Sequence, residues 1–208
     1  MKDNIIALHQ KNIAEEAKNL FLDRGFNATS INDICSKAGY SRRTVYKYFE
    51  NKEEILYYLI IEGLEQHLLH IEQAVKSNTS FISRYEKICE CMLFYYEHCS
   101  ISAQSVEQFQ NSTNIKLTPA VERILELGKK INDILALWIK EGKEEGVLDE
   151  SVDIMPTVYI LSSNLNSLFK LVTTKGSYLS SSLHMTKEEF LSYGYEMNLR
   201  SLLKEASH

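Results

Sequence analysis

The residues of this sequence that suggest a chemical role stand close together and are basic. Arg42, Arg43 and Lys47 lie within six residues of one another, and hydroxyl-bearing side chains stand among them. A guanidinium can bond the O6 and N7 atoms of guanine together, and ammonium and hydroxyl groups bind phosphate. The pattern therefore indicates noncovalent recognition of DNA. The predicted contact residues are Thr29, Ser41, Arg42, Arg43, Thr44, Tyr46, Lys47, Tyr48 and Lys52.

Two short predicted helices position these residues. Asp33 stands at the capping-box position of a helix predicted over Ser30–Ala38. The pair Gly39-Tyr40 is the predicted turn, and Ser41 can cap a second helix over Arg42–Phe49. Two helices joined in this way form a helix-turn-helix, whose second helix enters the major groove. The sequence therefore predicts a DNA-reading module at this point of the chain.

Some of these residues also have a structural interpretation. Arg42 and Arg43 could lie on an ordinary solvated helix face, although their place in the motif favours DNA contact. The ring of Tyr48 could pack in the core while its hydroxyl binds phosphate, and the sequence leaves both roles open. Cys35 is predicted to be a small buried residue.

The rest of the chain also has helical periodicity. Only two prolines interrupt 208 residues, and apolar residues recur at intervals of three and four. The predicted fold class is all-α: an N-terminal three-helix helix-turn-helix domain, residues 1–52, followed by a helical bundle, residues 53–208. The serine-rich stretch 176–183 is predicted to be a loop. The other predicted helices cover approximately residues 5–24, 52–75, 80–98, 102–111, 119–146, 153–173 and 186–206.

Charge is divided unevenly along the sequence. Residues 1–52 carry nine lysines and arginines against six acidic residues, a net charge of +3, whereas the remaining residues carry −8. A basic segment on an acidic chain is the polarity expected when one end meets phosphate.

Several classes of protein are disfavoured. No apolar run approaches the roughly 20 residues that span a bilayer, and the N-terminal residues lack a signal-peptide pattern, so we expect a cytoplasmic protein without a membrane partner. The nucleophile elbow, the P-loop, the dinucleotide fingerprint and the zincin motif are all missing from the sequence, which disfavours an enzyme. Cys89 and Cys91 lack the CxxC spacing of a metal site, and we predict neither a metal nor a cofactor.

The N-terminal quarter resembles the TetR family of transcriptional regulators. The stretch AGYSRRTVYKYFENKEEIL matches the family signature, with LFLDRGFNATSINDI at the expected distance before it. Tyr40 departs from the small aliphatic residue usual in the turn. The residues that carry the resemblance are Ala17, Leu20, Phe21, Gly25, Phe26, Thr29, Ile34, Ala38, Gly39, Ser41, Thr44, Tyr46, Tyr48, Phe49, Lys52 and Leu56.

The resemblance implies a mechanism. Such proteins are Ω-shaped homodimers in which the last two long helices of each subunit form the interface. A small-molecule effector bound in the helical body moves the fourth helix, changes the separation of the two reading heads and releases a palindromic operator. For this chain the resemblance implies a ligand-responsive regulator, most simply a repressor, whose effector the sequence does not identify.

The sequence determines the effector pocket less well than it determines the DNA-binding motif. The candidate residues could line a pocket or simply form the core that the helical body needs. The serines near Leu165 would suit either a dimer face or an internal helix pair. An alternative is a TetR-like architectural or co-activating protein whose body binds a protein partner in place of a ligand. The candidate pocket residues are His67, Tyr95, Phe109, Trp138 and Phe169.

Overall fold

The structure, a computed structural model, describes the backbone of residues 2–110 and 116–204 and the side chains of residues 5–106 and 116–204. Over these ranges the regular structure is helical, apart from an isolated antiparallel bridge between Leu148 and Leu203. The predicted all-α class is confirmed. The helices are α1 (Lys2–Arg24), α2 (Ile31–Ala38), α3 (Arg42–Tyr48), α4 (Lys52–Val75), α5 (Phe81–His98), α6 (Ser100–Gln110), α7 (Pro119–Glu144), α8 (Ile154–Leu183) and α9 (Lys187–Arg200).

The described residues form two compact units. The first contains the residues up to Glu65 together with Cys99–Leu127, and the second contains Gln66–His98 together with the residues from Gly128 onward. Helices α4 and α7 each contribute residues to both units. No helix in the described ranges is both long and apolar enough to cross a membrane.

The helix-turn-helix predicted from the sequence is present. The hydroxyl and backbone N–H of Ser30 pair reciprocally with Asp33, which completes the predicted capping box at the start of α2. Gly39 ends α2 with a φ of 72°, in the left-handed region that glycine enters without steric cost. Ser41 then caps α3. Local chemistry therefore fixes both helix boundaries at the turn.

A shared apolar core holds the first unit together. Ile13 of α1, Ile34 of α2, Val45 of α3 and Ile55 of α4 are fully buried in a common cluster. Burying each such side chain contributes about 1.5–3 kcal/mol. Because four helices contribute to one cluster, the orientation of α3 depends on all of them.

The second unit has an aromatic core. The ring of Trp138 stacks on Phe81, with centroids 4.5 Å apart, and lies 6.1 Å from the ring of Tyr85. The Tyr85 hydroxyl donates a hydrogen bond to the carbonyl oxygen of Tyr195 at 2.8 Å. These contacts join α5, α7 and α9.

The loop predicted over residues 176–183 is wrong, because α8 continues as a helix to Leu183. The serine-rich sequence lowers helix propensity by only a few tenths of a kcal/mol per residue, which neighbouring helical turns and tertiary packing can override. Within this stretch, the Ser181 hydroxyl donates to the Tyr178 carbonyl of the same helix at 2.9 Å.

Candidate nucleic-acid interface

The inner face of α3 is buried and its start is capped. Val45 is fully buried, and Phe49, which follows the helix, is 4% exposed. The Ser41 hydroxyl accepts a hydrogen bond from the Thr44 backbone N–H at 3.1 Å, and the two hydroxyl oxygens lie 2.8 Å apart. A cap of this kind contributes about 1 kcal/mol. The hydroxyls of Ser41 and Thr44, which are both predicted to meet phosphate, are therefore paired with each other in the free chain.

The cations of α3 lie on its outer face. Arg42, Arg43 and Lys47 are exposed, and Tyr46 is 42% exposed. The Arg42 guanidinium donates to the Tyr46 hydroxyl at 3.4 Å and lies 5.5 Å from the ring centroid. This hydrogen bond raises the pKa of Arg42. The structure thus brings these four predicted contact residues together on one exposed helix face.

A histidine from α1 contacts both the turn and α3. His9 Nδ1 lies 2.7 Å from the Tyr40 hydroxyl, and the His9 ring lies 5.4 Å from the Tyr40 ring and 5.6 Å from the Tyr48 ring. Tyr48 is half-buried, with Lys47 Nζ 5.5 Å from its ring centroid. Sequence reasoning did not find His9. Its spacing of four residues before the buried Ile13, on the same face of α1, was the available signal.

Two of the predicted DNA contacts are used inside the protein. Thr29 is 2% exposed, and its hydroxyl donates to the carbonyls of Gly25 at 2.9 Å and Leu20 at 3.4 Å. Lys52 Nζ donates to the carbonyls of Phe26 and Thr29, each at 2.7 Å. The structure therefore separates Thr29 and Lys52 from the exposed face of α3.

Two of the candidate pocket residues are in contact. His67 is 6% exposed, and its ring stacks on Tyr95 with centroids 4.2 Å apart and planes 16° apart. Burial, with a smaller contribution from His70, lowers the pKa of His67 to about 3. Among the described residues, His67 Nδ1 is buried without a hydrogen-bond partner. A neutral imidazole with an unused nitrogen can bind a polar group of a ligand.

Of the other candidate pocket residues, two are buried in the core of the second unit and the third lies outside the residues whose side chains the structure describes. Trp138 is fully buried among other aromatic rings, and Phe169 is 1% exposed, 5.8 Å from the Tyr96 ring and 6.3 Å from the Tyr195 ring. The side chain of Phe109 lies outside the described residues. These contacts are those of a packed aromatic core.

An open groove with a volume of about 770 Å³ runs along one segment of α8, where it is lined by Val172–Tyr178. His67, Tyr95, Trp138 and Phe169 do not line this groove. The pocket that these residues suggest therefore stays a prediction.

The cysteine thiols are poorly suited to redox chemistry. Burial raises the pKa of Cys89 to about 12 and raises the pKa values of Cys91 and Cys99 as well. The thiolate is the reactive form of cysteine, and a raised pKa makes it scarce at neutral pH. Burial also raises the pKa of Cys35, which is half-buried between α2 and the rest of its unit.

Comparison with known families agrees with this geometry. A model of the family described as bacterial regulatory proteins, tetR family, matches residues 13–59, which include the second half of α1, all of α2 and α3 and the first turns of α4. The chain carries the N-terminal domain of the TetR family. This assignment makes it a DNA-binding transcriptional regulator and not an enzyme.

Similarity to known proteins extends beyond the matched segment. The fatty acid metabolism regulator protein of Bacillus subtilis is 27% identical over 149 residues, which cover 68% of this chain and 72% of that protein. The TetR-family regulator PfmR of Thermus thermophilus has 25% identity and a TM-score of 0.70, covering 90% of this chain and 97% of PfmR. The SmeT–triclosan complex shares the fold, with a TM-score of 0.69 and 16% identity over 96% of this chain and 93% of SmeT.

Proposed function

We propose that this TetR-family regulator is a repressor that binds a palindromic operator as a homodimer and is released by a small-molecule effector. The observation that carries the proposal is the outer face of α3. Arg42, Arg43 and Lys47 are exposed there, while the opposite face of the same helix is fixed by the burial of Val45. Because its partner is chromosomal DNA, we place its action in the cytoplasm.

The proposed DNA contacts divide into two kinds. Arg42 and Arg43 lie in the first turn of α3, where a side chain can reach base edges, so we assign them to guanine recognition. We assign Lys47 and the exposed hydroxyl of Tyr46 to phosphate, which fixes register without reading sequence. Ser41, Thr44 and Tyr48 would add phosphate contacts by reorienting their hydroxyls.

Exposed apolar residues on α8 and α9 support the homodimer. Tyr159 and Ile160 of α8 are 57% and 60% exposed, and Tyr193 and Met197 of α9 are 58% and 57% exposed. The two helices pack against each other, since the Asn164 amide donates to the Asn198 side-chain oxygen at 3.0 Å. Large exposed apolar side chains on adjoining helices are typical of a protein interface. A second copy of this chain is the occupant we propose.

The buried stack of His67 on Tyr95 supports the effector site. At neutral pH the imidazole is uncharged, so it would recognise a hydroxyl or carbonyl group and would not pair with a ligand charge. The similarity to a fatty acid metabolism regulator suggests that the regulated genes belong to lipid metabolism and that the effector is largely apolar. The SmeT–triclosan complex provides a precedent for small-molecule binding on this fold.

The test begins by selecting fragments of the host genome on the purified wild-type chain. We expect recovered fragments to share a palindromic element, and Arg43→Ala to weaken binding to it by roughly 1–3 kcal/mol while binding to random-sequence DNA changes much less. Lys11→Ala, which removes one exposed charge from α1, serves as the matched control. Equal losses on the two kinds of DNA would refute base recognition by Arg43. Failure to enrich any shared element would refute the proposed function.

A further inference from the structure

The ammonium group of the half-buried Lys52 already binds groups of the protein. Lys52 is the first residue of α4, and its Nζ donates to the carbonyl oxygens of Phe26 and Thr29, each at 2.7 Å. The same atom lies 4.2 Å from the centroid of the Phe26 ring. An ammonium has three donors, and two of them are used here while the ring face covers another side.

The two acceptor carbonyls belong to the connection that sets the start of α2. The Thr29 hydroxyl anchors this connection to the end of α1 through the Gly25 carbonyl at 2.9 Å. The next residue, Ser30, is the N-cap of α2 and forms the capping box with Asp33. The bonds from Lys52 therefore tie the first turn of α4 to the first turn of α2.

The bonds from Lys52 give the helix-turn-helix a second connection to α4. At its other end the helix-turn-helix is joined to α4 by the chain itself, since only residues 49–51 separate α3 from α4. The α2–α3 pair is thus attached to the first turn of α4 at both ends. Bonds from a charged donor are stronger than neutral ones. Removing this donor takes one bond from each carbonyl, and the Phe26 carbonyl keeps only the bond from the Thr29 N–H at 3.2 Å.

We propose that Lys52 is a positioning residue for DNA binding: it fixes the α2–α3 pair on α4 and is not one of the phosphate ligands. The inference rests on the proposed function, because the positioned helices are those that meet DNA. It gives Lys52 a role different from the phosphate contact predicted from the sequence.

Salt dependence separates the two roles. Each lost phosphate contact reduces the magnitude of the negative slope of log K against log salt concentration by about 0.9, because one fewer counterion is released. A substitution present in both subunits of the proposed homodimer removes two contacts and should reduce it by about 1.8. Losing a positioning contact lowers affinity at every salt concentration and leaves the slope unchanged. It also weakens sequence-specific binding more than random-sequence binding, since only specific binding needs the helices in one orientation.

The DNA experiment uses a duplex selected by the wild-type chain from a random pool, with an unselected duplex as reference. We expect Lys52→Met to weaken the selected duplex by at least about tenfold and the reference by less than about threefold, with the salt slope retained. Lys52→Arg should restore binding to within about threefold, because arginine keeps charged donors. Lys47→Met, which removes an exposed cation of α3 from each subunit, should reduce the magnitude of the slope by about 1.8.

A second measurement needs no DNA. We expect Lys52→Met to speed amide hydrogen exchange at Ile34, whose N–H donates to the Ser30 carbonyl at 3.2 Å. The charge-matched control Lys11→Met should leave that exchange unchanged. Lys52→Gln, which can still donate to one carbonyl, should fall between wild type and Lys52→Met in both measurements and serves if Lys52→Met does not fold.

The outcomes are distinct. In Lys52→Met, a slope whose magnitude is reduced by about 1.8, with unchanged exchange at Ile34, would make Lys52 a phosphate ligand and overturn the inference. Unchanged binding of Lys52→Met to a duplex that the wild type does select would overturn this inference alone. A wild-type chain that selects no duplex would overturn the proposed function together with the positioning role.

Discussion

At the scale of single residues, the most unusual side chain is the buried His67. Its ring is stacked on Tyr95, and burial lowers its pKa to about 3 from the ordinary value of 6.5. An unfolded chain takes up this proton below pH 6.5, whereas the folded chain excludes it until about pH 3. The unfolded state therefore binds more protons between these values, and the contribution of His67 to stability is lost as the pH falls.

We expect His67→Phe, which keeps an aromatic ring against Tyr95, to make the chain less sensitive to acid. Between pH 7 and pH 5, the wild type should lose about 2 kcal/mol more unfolding free energy than the variant. Urea unfolding of both proteins at fixed concentration gives this difference, and the other titrating groups cancel in the comparison. Parallel stability curves for the two proteins would show that His67 is not buried in its neutral form.

At the scale of elements, α8 shows how weak local preference is against packing. The serine-rich sequence after Thr174 favours a loop, yet the helix runs on to Leu183 and ends where His184 adopts a φ of 55°. Helix α9 then approaches α8 closely at Gly194, where a Cβ atom would lie 2.6 Å from Leu168 Cδ2. An added Cβ atom at Gly176 of α8 would contact nothing within 4 Å, whereas one at Gly194 of α9 would be in tight contact with Leu168.

We expect the substitutions Gly176→Ala and Gly194→Ala to have opposite effects. Gly176 lies inside α8 with nothing within 4 Å of an added Cβ, so alanine should raise the unfolding free energy by about 0.5–1 kcal/mol. Gly194→Ala must displace Leu168 and should lower it by roughly 1–3 kcal/mol. Urea midpoints at an unchanged m-value report both effects. Destabilisation by Gly176→Ala would indicate that this stretch is not helical.

At the scale of the whole molecule, the proposed function requires two copies of the 24.0 kDa chain. The proposed operator has two half-sites, and the proposed interface is the exposed apolar face of α8 and α9. Because Ile160 is 60% exposed in the single chain, changing it has little effect on the core of the subunit. A substitution at this residue therefore tests dimer formation without changing the folding of the subunit.

We expect the wild-type chain to sediment at twice the chain mass and Ile160→Arg to shift it to the monomer. An unpaired charge in an apolar interface should raise the dissociation constant by at least roughly 100-fold, or about 3 kcal/mol. Leu137→Arg, a similar change at a 52% exposed position of α7, is the matched control and should remain dimeric. A wild-type monomer under DNA-binding conditions would contradict the two-half-site mechanism.

Local chemistry let the sequence determine the DNA-reading half of this protein. The capping box of Ser30 and Asp33, the left-handed Gly39 and the cap at Ser41 act within a few residues, so their spacing alone predicted α2, the turn and α3. The outward placement of Arg42 and Arg43 followed from helical periodicity once Val45 was assigned to the core.

Only the tertiary structure decided what distant residues do for one another. Lys52 bonds carbonyls 23 and 26 residues away, and His9 reaches Tyr40 across 31 residues. The spacing of residues along the sequence does not predict such contacts, because the partner of a side chain depends on how separate helices pack. The sequence could propose both His67 and Trp138 as pocket residues, but it could not show which rings each one contacts. Only the fold shows that His67 stacks on Tyr95 whereas Trp138 stacks on Phe81.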